Sequence, residues 1–378
     1  MDEDHEAFRQ SFATFLERNA VPHYQDWERA GIVDRAVWTE AGRMGFLGLG
    51  IPEEYGGVGL QDFRYNAVIG EEINKRVMRG LGFTLHNDIV IPYLLTLGTE
   101  EQKRRWLPGM VTGEIIAAIA MTEPGAGSDL AGIRTRAVPQ GEGANKSYVV
   151  NGSKTFITNG QHADIVITAA RTGEDRHKGL SLIVLERGME GFVRGANLDK
   201  IGMHAQDTSE LFFDDVHVPA SNLLGKENEG FYYLLQNLPQ ERLSISVGAV
   251  AVAEKMLATT VEYVKNRQAF GKTIAHFQNT QFVLAEAATE LRVARVFVDD
   301  CIERHTQGEL SAEEAAMAKL WTTELQVKVV DRCLQLHGGN GYMNEFEIAR
   351  AWRDSRAQTI YGGTSEVMKQ IIGKSLVS

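Results

Sequence analysis

Apolar residues recur at two different spacings along the chain, and the change of spacing divides it into three segments. Residues 1 to about 118 are expected to be helical, and helices return from about residue 225, where apolar positions three and four residues apart form stripes. Thr99–Gln102 and Ser311–Glu314 each read as a capping box at a helix start. Stripes of this kind pack together as an antiparallel bundle. The stripe of the first long helix contains Leu243, Val247, Val250, Leu257, Val261 and Val264.

Short runs of β-branched and aromatic residues replace the helical stripes in the middle segment. Gly, Asp or Pro separates these runs, so they are typical of strands. Asn151-Gly152 follows the first run and predicts a tight hairpin turn. Because no helical pattern lies between the runs, we expect an antiparallel sheet. The predicted strands cover residues 147–150, 155–158, 165–168, 180–184 and 211–213.

The order of the segments predicts an α+β fold that is mainly α, in three domains. An N-terminal α-helical domain is expected at residues 1–118 and a middle antiparallel β domain at residues 119–222. A C-terminal four-helix bundle is expected at residues 223–378. A chain of 378 residues is long enough for this division.

Composition and charge exclude several classes of partner. The formal net charge is −11 and no basic stripe is present, so neither nucleic acid nor an anionic membrane is expected as a partner. Cys301 and Cys333 form no CxxC pair, and His, Cys and acidic residues show no metal-binding spacing. The N-terminus shows no leader pattern, and no membrane-spanning segment is expected, because no apolar run looks long enough to span a bilayer. A cytoplasmic protein is expected, or an organellar protein whose leader has been removed.

The clearest candidate for chemistry in the middle segment is a turn of small residues, Met121–Asp129. It exposes backbone N–H groups and hydroxyls, which suit phosphate oxygens and the edges of a planar cofactor. Gly125 and Gly127 could begin a dinucleotide fingerprint, but its third glycine would fall at Leu130. Since no βαβ unit surrounds the turn, a Rossmann site is excluded.

Together with four other motifs, this turn resembles the acyl-CoA dehydrogenase family. Residues 205–213, 230–233 and 238–243 resemble its long-chain members most closely. The other motifs are residues 151–159, 266–272, 335–342 and 361–366, and the resemblance covers nearly the whole chain. It implies the helical, β and helical-bundle order of that fold and an FAD cofactor. It also implies an acyl-CoA substrate oxidised to trans-2-enoyl-CoA, an electron-transfer flavoprotein as acceptor, and a homo-oligomer, usually a tetramer.

The resemblance also assigns residues to the cofactor and the substrate. Thr158 is expected to reach flavin N5, and Phe156 stands where the family usually has a Trp against the ring. Arg267 and Gln278 are expected on the FAD of a neighbouring subunit. The full set implied for FAD is Met121, Thr122, Gly127, Ser128, Phe156, Ile157, Thr158, Arg267, Gln278, Gln335, Leu336, His337, Gly338, Gly339, Thr364, Ser365 and Glu366. The set implied for the substrate is Ser128, Tyr232, Arg242, Gly362 and Gly363.

The catalytic base is expected at Glu241. Residues 361–366 read Tyr-Gly-Gly-Thr-Ser-Glu, and most family members carry the base as a Glu where this chain has Gly362. Residues 238–243 resemble the helical segment that carries the base in the long-chain members. Without the resemblance, the same residues have another interpretation. Pro239 would lie at a helix start, and Glu241 would be a carboxylate that complements the positive end of the helix dipole. A second carboxylate at Gly362, in a Glu241→Gln background, is expected to restore some turnover.

The sequence is also compatible with two other functions. An acyl-CoA oxidase, or another flavin oxidase, could use the same fold. A catalytically inactive relative that only binds acyl-CoA is the other alternative. Acyl chain length, branching and pathway are not predicted.

Overall fold

Helices form the N-terminal segment of the structure. The computed structural model describes residues 1–377, with Ala144 given by its backbone. A π-helical turn at Leu85–Val90 leads directly into α5, and the predicted capping box at Thr99 is confirmed at the start of α6. The helices are α1 (Glu3–Asn19), α2 (Tyr24–Ala30), α3 (Ala36–Arg43), α4 (Phe63–Lys75), α5 (Ile91–Leu97) and α6 (Glu100–Thr112).

A mixed eight-stranded sheet forms the middle segment. Its order is β6-β7-β3-β2-β4-β5-β8, with β1 paired to β4. The strands are β1 (Ala117–Ala120), β2 (Arg136–Gln140), β3 (Ser147–Thr158), β4 (Ile165–Arg171), β5 (Leu180–Glu186), β6 (Phe192–Asn197), β7 (Thr208–Pro219) and β8 (Leu223–Leu224).

The expectation of a wholly antiparallel sheet was wrong. β1 and β4 pair in parallel along four residues, and β2 meets β4 in parallel at one position. A parallel pair needs a long crossover between its strands, but the crossover need not be a helix. Here residues 121–164 make the crossover, and they contain β2 and β3.

The hairpin expected at Asn151-Gly152 is also absent, because β3 runs unbroken through both residues. The pairing with β7 shifts there, from Val150↔Val216 to Gly152↔Phe213, so β7 carries an extra residue. The Asn151 side chain exchanges two 2.9 Å hydrogen bonds with Asp215 on that bulge. The Asn-Gly pair therefore marks a β-bulge opposite it.

We predict that Gly152→Ala lowers the free energy of unfolding by about 1–3 kcal/mol. Gly152 has φ +145°, and an added Cβ would lie 2.6 Å from Thr135 Oγ1. Gly188→Ala is the matched control, because Gly188 has φ +90° but open space around its Cβ position. Urea unfolding should show the larger loss for Gly152→Ala, and equal losses would rule out the Thr135 contact as a cause.

Long helices form the C-terminal segment around one apolar core. Its largest cluster is built from buried side chains of α4 and of four helices of this segment. Cys301 and Cys333 are buried free thiols within it, and the predicted capping box at Ser311 is confirmed. The elements are α7 (Gly230–Asn266), β9 (Gln268–Ala269), β10 (Lys272–Thr273), α8 (Gln278–Thr306), α9 (Ala312–His337), α10 (Glu347–Ser355) and α11 (Ser365–Val377).

Helix α7 corrects two expectations. It is long and apolar enough to cross a membrane, contrary to the sequence estimate, but 61% of its most apolar window is buried inside the protein, as in a core helix. It begins at Gly230, so Pro239 lies inside the helix and Glu241 lies beyond the first turn. The dipole interpretation of Glu241 is therefore wrong, because that effect is confined to the first turn.

Candidate active site

The carboxylate of Glu241 is buried where α7 packs against α5. Only 4% of the residue is exposed. Tyr93 of α5 donates a 3.1 Å hydrogen bond to Oε1, and Asn237, one turn earlier on α7, donates a 3.3 Å hydrogen bond to the same oxygen. Burial raises the pKa of Glu241 to about 6, although these hydrogen bonds and the charge of Arg242 act in the opposite direction. Such a group is ionised at neutral pH and still basic enough to accept a proton.

The loop that carries Gly362 packs against the same stretch of α7. Gly362 has φ +66°, and a Cβ added there would clash with Cδ1 of Ile245. Ile245 follows Glu241 by four residues, so both occupy one face of the helix. The structure therefore brings Gly362 close to the Glu241 turn, and Ile245 fills the space that a side chain at residue 362 would need.

Two buried cations surround the neighbouring Gly363. Lys319 of α9 donates a 2.6 Å hydrogen bond to the Gly363 carbonyl, and Arg242 Nη2 lies 4.0 Å from the position of an added Cβ. Burial, with Arg242 as the next cause, lowers the pKa of Lys319 to about 8. Among the described residues, Arg242 Nε has no hydrogen-bond partner. The loop backbone is thus held in a positively charged setting beside Glu241.

The Met121–Asp129 turn is fastened to β3 by a buried ion pair. Lys154 donates hydrogen bonds to the Met121 carbonyl at 3.0 Å and to Glu123 at 2.9 Å. Burial lowers the pKa of Lys154 to about 8. Burial would raise the pKa of Glu123, but the charge of Lys154 and the hydrogen bonds that Glu123 accepts outweigh it, so the pKa of Glu123 is lowered. Thr155 N–H also donates to the Thr122 carbonyl at 2.9 Å. The structure therefore brings together the two motifs assigned to the flavin ring.

Phe156 is held in an unusual conformation at this junction. Its φ is +59°, which is rare for a bulky residue, and the side chain is 67% exposed. The β3–β7 pairing shifts between Lys154 and Ile157, and such bulges commonly redirect a side chain beside an active site. Ile157 is buried beneath and Thr158 is half-buried. An exposed aromatic face next to the 121–129 turn offers a surface for a planar ring.

Gly127 and Ser128 lie at the exposed end of the Met121–Asp129 turn. Both are exposed, and a Cβ added at Gly127 would meet no atom within 4 Å.

Tyr232 is exposed in the first turn of α7. Thr364 accepts a 3.3 Å hydrogen bond from Val367 N–H at the start of α11. Ser365 is buried there and Glu366 is exposed.

The remaining predicted cofactor residues lie at the far end of the bundle. Arg267 and Gln278 are exposed beyond the end of α7, about 40 Å of helix from Glu241 at 1.5 Å per residue. Near them the His337 ring stacks on Tyr263 at 4.2 Å, and Tyr263 donates a hydrogen bond to the His337 carbonyl at 3.1 Å. Gln335, Leu336, Gly338 and Gly339 belong to the same corner. One chain therefore does not bring this group to its own Glu241.

Sequence reasoning missed four residues of the Glu241 surroundings: Tyr93, Asn237, Ile245 and Lys319. Asn237 and Ile245 could have been found, since positions four residues from Glu241 share its helix face. Tyr93 is 148 residues away in the sequence, and no pattern links it to Glu241. No group of three or more metal-binding side chains occurs in the part of the chain that the structure describes.

Comparison with known proteins matches the chain along its length. It matches the family models described as Acyl-CoA dehydrogenase N-terminal domain at residues 2–114, middle domain at 118–216 and C-terminal domain at 228–377. A long-chain specific acyl-CoA dehydrogenase, mitochondrial, of Sus scrofa is 50% identical, covering 99% of this chain and 86% of that protein. Isovaleryl-CoA dehydrogenase, mitochondrial, of Pongo abelii is 36% identical, with coverages of 99% and 89%. The crystal structure of an acyl-CoA dehydrogenase from Geobacillus kaustophilus superposes with a TM-score of 0.96 at 52% identity, covering 100% of this chain and 98% of that one.

We predict that Lys154→Met lowers the free energy of unfolding by about 3–5 kcal/mol, because it leaves Glu123 as a buried unpaired charge. The double variant Lys154→Met/Glu123→Gln removes both charges and should recover much of the loss. Chemical denaturation checks both variants. If the double variant is as unstable as the single one, the ion pair is not what fastens the turn.

The contact with Ile245 adds a condition to the expected rescue at residue 362. In a Glu241→Gln background, Gly362→Glu alone should restore no turnover, because Ile245 occupies the space of the new Cβ. Adding Ile245→Ala should raise turnover at least ~10-fold above the residual rate of Glu241→Gln. This gain is a part of the ~10²–10⁴-fold that a general base contributes. Ile245→Ala alone is the control. Full rescue without it would show that the loop moves freely.

Proposed function

Because the chain belongs to the acyl-CoA dehydrogenase family, we propose that it oxidises a long-chain or branched-chain acyl-CoA to the trans-2-enoyl-CoA, with FAD as cofactor and Glu241 as the base. The observation that carries the proposal is the buried carboxylate of Glu241, held by two donors on the face of α7 where Ile245 meets the Gly362 loop. The long-chain and isovaleryl names of the relatives support these two substrate classes.

The residues of the middle domain fit FAD. The Met121–Ser128 turn and the Phe156–Thr158 segment lie side by side, fastened by Lys154 and by the Thr155–Thr122 hydrogen bond. The exposed Phe156 ring provides an apolar face, and the open Gly127–Ser128 backbone leaves room for phosphate oxygens. When bound there, FAD supplies the acceptor for the β-hydride.

The protein side chains and backbone supply the proton chemistry. The Gly362–Gly363 backbone offers N–H donors for the thioester carbonyl, which makes the α-proton more acidic. Lys319 fixes the Gly363 carbonyl and so limits movement of that loop. Glu241 then takes the α-proton, and its burial keeps water from competing. Arg242 and Tyr232, both on α7, would contact the substrate.

A homo-oligomer is part of the proposal. Arg267, Gln278 and residues 335–339 would bind the FAD of a neighbouring subunit, since they lie far from Glu241 of their own chain. The outer face of α8 carries apolar side chains that are more than half exposed, as a face covered by another subunit would: Phe282, Val293 and Val296. A tetramer, an electron-transfer flavoprotein as acceptor, and cytoplasmic location remain predictions.

We predict that the purified protein is yellow and that anaerobic addition of acyl-CoA bleaches its flavin. Glu241→Gln should keep its FAD but bleach at least ~10²-fold more slowly, as loss of a general base requires. The wild-type rate should fall as pH decreases through about 6, where Glu241 becomes protonated. A panel of chain lengths and branched acyl groups would rank the substrates.

Three other outcomes would overturn parts of this assignment. Glu241→Gln bleaching at the wild-type rate would remove Glu241 from the role of base. Rapid peroxide formation in air would favour the oxidase alternative. A colourless protein that binds acyl-CoA would favour the inactive relative.

A further inference from the structure

We propose that Tyr93 and Asn237 are positioning residues for the base, which together occupy Oε1 of Glu241 and leave Oε2 to take the proton. Both hydrogen bonds to the carboxylate end on Oε1, at 3.1 and 3.3 Å. Within residues 1–377, no hydrogen bond ends on Oε2. The inference rests on the proposed function of Glu241, and it assigns different tasks to the two oxygens.

The π-helical turn at Leu85–Val90 brings Tyr93 into place. Three side chains of α7 bond to this turn: Ser244 Oγ to Asp88 Oδ2 at 2.5 Å, Gln240 Nε2 to the Asp88 carbonyl at 2.6 Å, and Asn237 Nδ2 to the Ile89 carbonyl at 3.3 Å. These side chains and Glu241 recur every three to four residues, so they share one helix face. The face that carries the base is therefore fastened to the segment that carries Tyr93.

Tyr93 is suited to be a permanent donor. It is buried, and burial followed by the nearby charge of Glu241 raises its pKa well above the ordinary value. Its hydroxyl therefore keeps its proton over the working pH range and has one acceptor in Glu241 Oε1. Asn237 also holds its amide between two acceptors, Oε1 and the Ile89 carbonyl. A carboxylate held by two donors on one oxygen loses rotational freedom, so the other oxygen keeps a fixed direction.

The charged and titratable groups around Glu241 come from several elements. Tyr93 faces it from α5, and Arg242 lies beside it on α7. Lys319 of α9 acts on Arg242 and not directly on Glu241. Asp88 on the π-helical turn has its pKa raised to about 7 by burial, but it bonds to Ser244 and Asn66 instead of Tyr93. Removing the Tyr93 hydroxyl therefore changes the surroundings of Glu241 without touching a bond of Asp88.

The test isolates proton abstraction by using protein whose FAD has first been chemically reduced, so that the flavin cannot accept a hydride. Saturated acyl-CoA is incubated anaerobically with this protein in D₂O, and deuterium entry at the α-carbon is measured by mass spectrometry over a range of pH. Tyr93→Phe should move the acid limb of the rate profile up by about one pH unit, because a hydrogen bond that stabilises the charged form has been removed. Asn237→Asp, which keeps the side-chain shape, should move it further up by adding a second carboxyl group.

Tyr55→Phe is the matched control. The Tyr55 hydroxyl also donates to a carboxylate, Glu100 Oε2 at 2.7 Å, but at the surface of α6. Its profile should coincide with that of the wild type. FAD absorbance and KM, measured for each variant, should stay unchanged if the effect is confined to Glu241.

The outcomes distinguish a failure of the positioning role from a failure of the proposed function. A wild type that exchanges no α-proton contradicts the proposed function and the positioning role together. A wild type that exchanges, with a Tyr93→Phe profile at the same midpoint, overturns only the positioning role. A uniform loss of rate without a shift also overturns it, because that result means that Tyr93 only packs.

Discussion

The Glu241 carboxylate is buried among helices, yet it must be charged to accept a proton. The surrounding groups have to stabilise this buried charge. Burial alone would favour the protonated form, which cannot act as a base. Tyr93 and Asn237 supply two hydrogen bonds to the charged form, and Arg242 adds a favourable charge. The balance leaves the pKa near 6, below the pH at which most enzymes work but close enough for proton transfer.

The loop on the other side of the site is adapted to the same constraint. Two carboxylates in one pocket would raise the pKa of one of them, so a second base at residue 362 would work against Glu241. Gly362 removes that side chain, and Ile245, one helical turn after Glu241, fills the space that it leaves. Both sides of the contact between α7 and the loop are therefore consistent with a base at Glu241: Gly362 on the loop has no side chain, and Ile245 on α7 fills the space.

Local signals predicted the features that depend on neighbouring residues. The capping boxes at Thr99 and Ser311, and the helical, β and helical order, were read correctly because each depends on a short stretch of chain. The errors occurred where a distant segment decides the outcome. Asn151-Gly152 is a good hairpin sequence, but Asp215 on β7 binds Asn151 and keeps β3 extended.

The predictions of a helix start at Pro239 and of a wholly antiparallel sheet were wrong for the same reason. Pro239 is tolerated inside α7 because packing against α4, α8 and α9 stabilises the helix despite one missing backbone hydrogen bond. The parallel pairing of β1 and β4 depends on a crossover made of strands, which a local pattern does not reveal. Glu241 itself was found through resemblance and the missing Glu at residue 362, whereas Tyr93 had no local signal.

The central claim is that the buried carboxylate on α7 is the group that removes the α-proton. The most direct test is a crystal structure of the protein with FAD and an unreactive acyl-CoA analogue. The account predicts that Glu241 Oε2 points at the α-carbon, with its oxygen within hydrogen-bonding reach of the α-proton, while Oε1 stays bound to Tyr93 and Asn237. An α-carbon placed beside a different carboxylate, or an acyl chain that does not reach Glu241, would contradict the account.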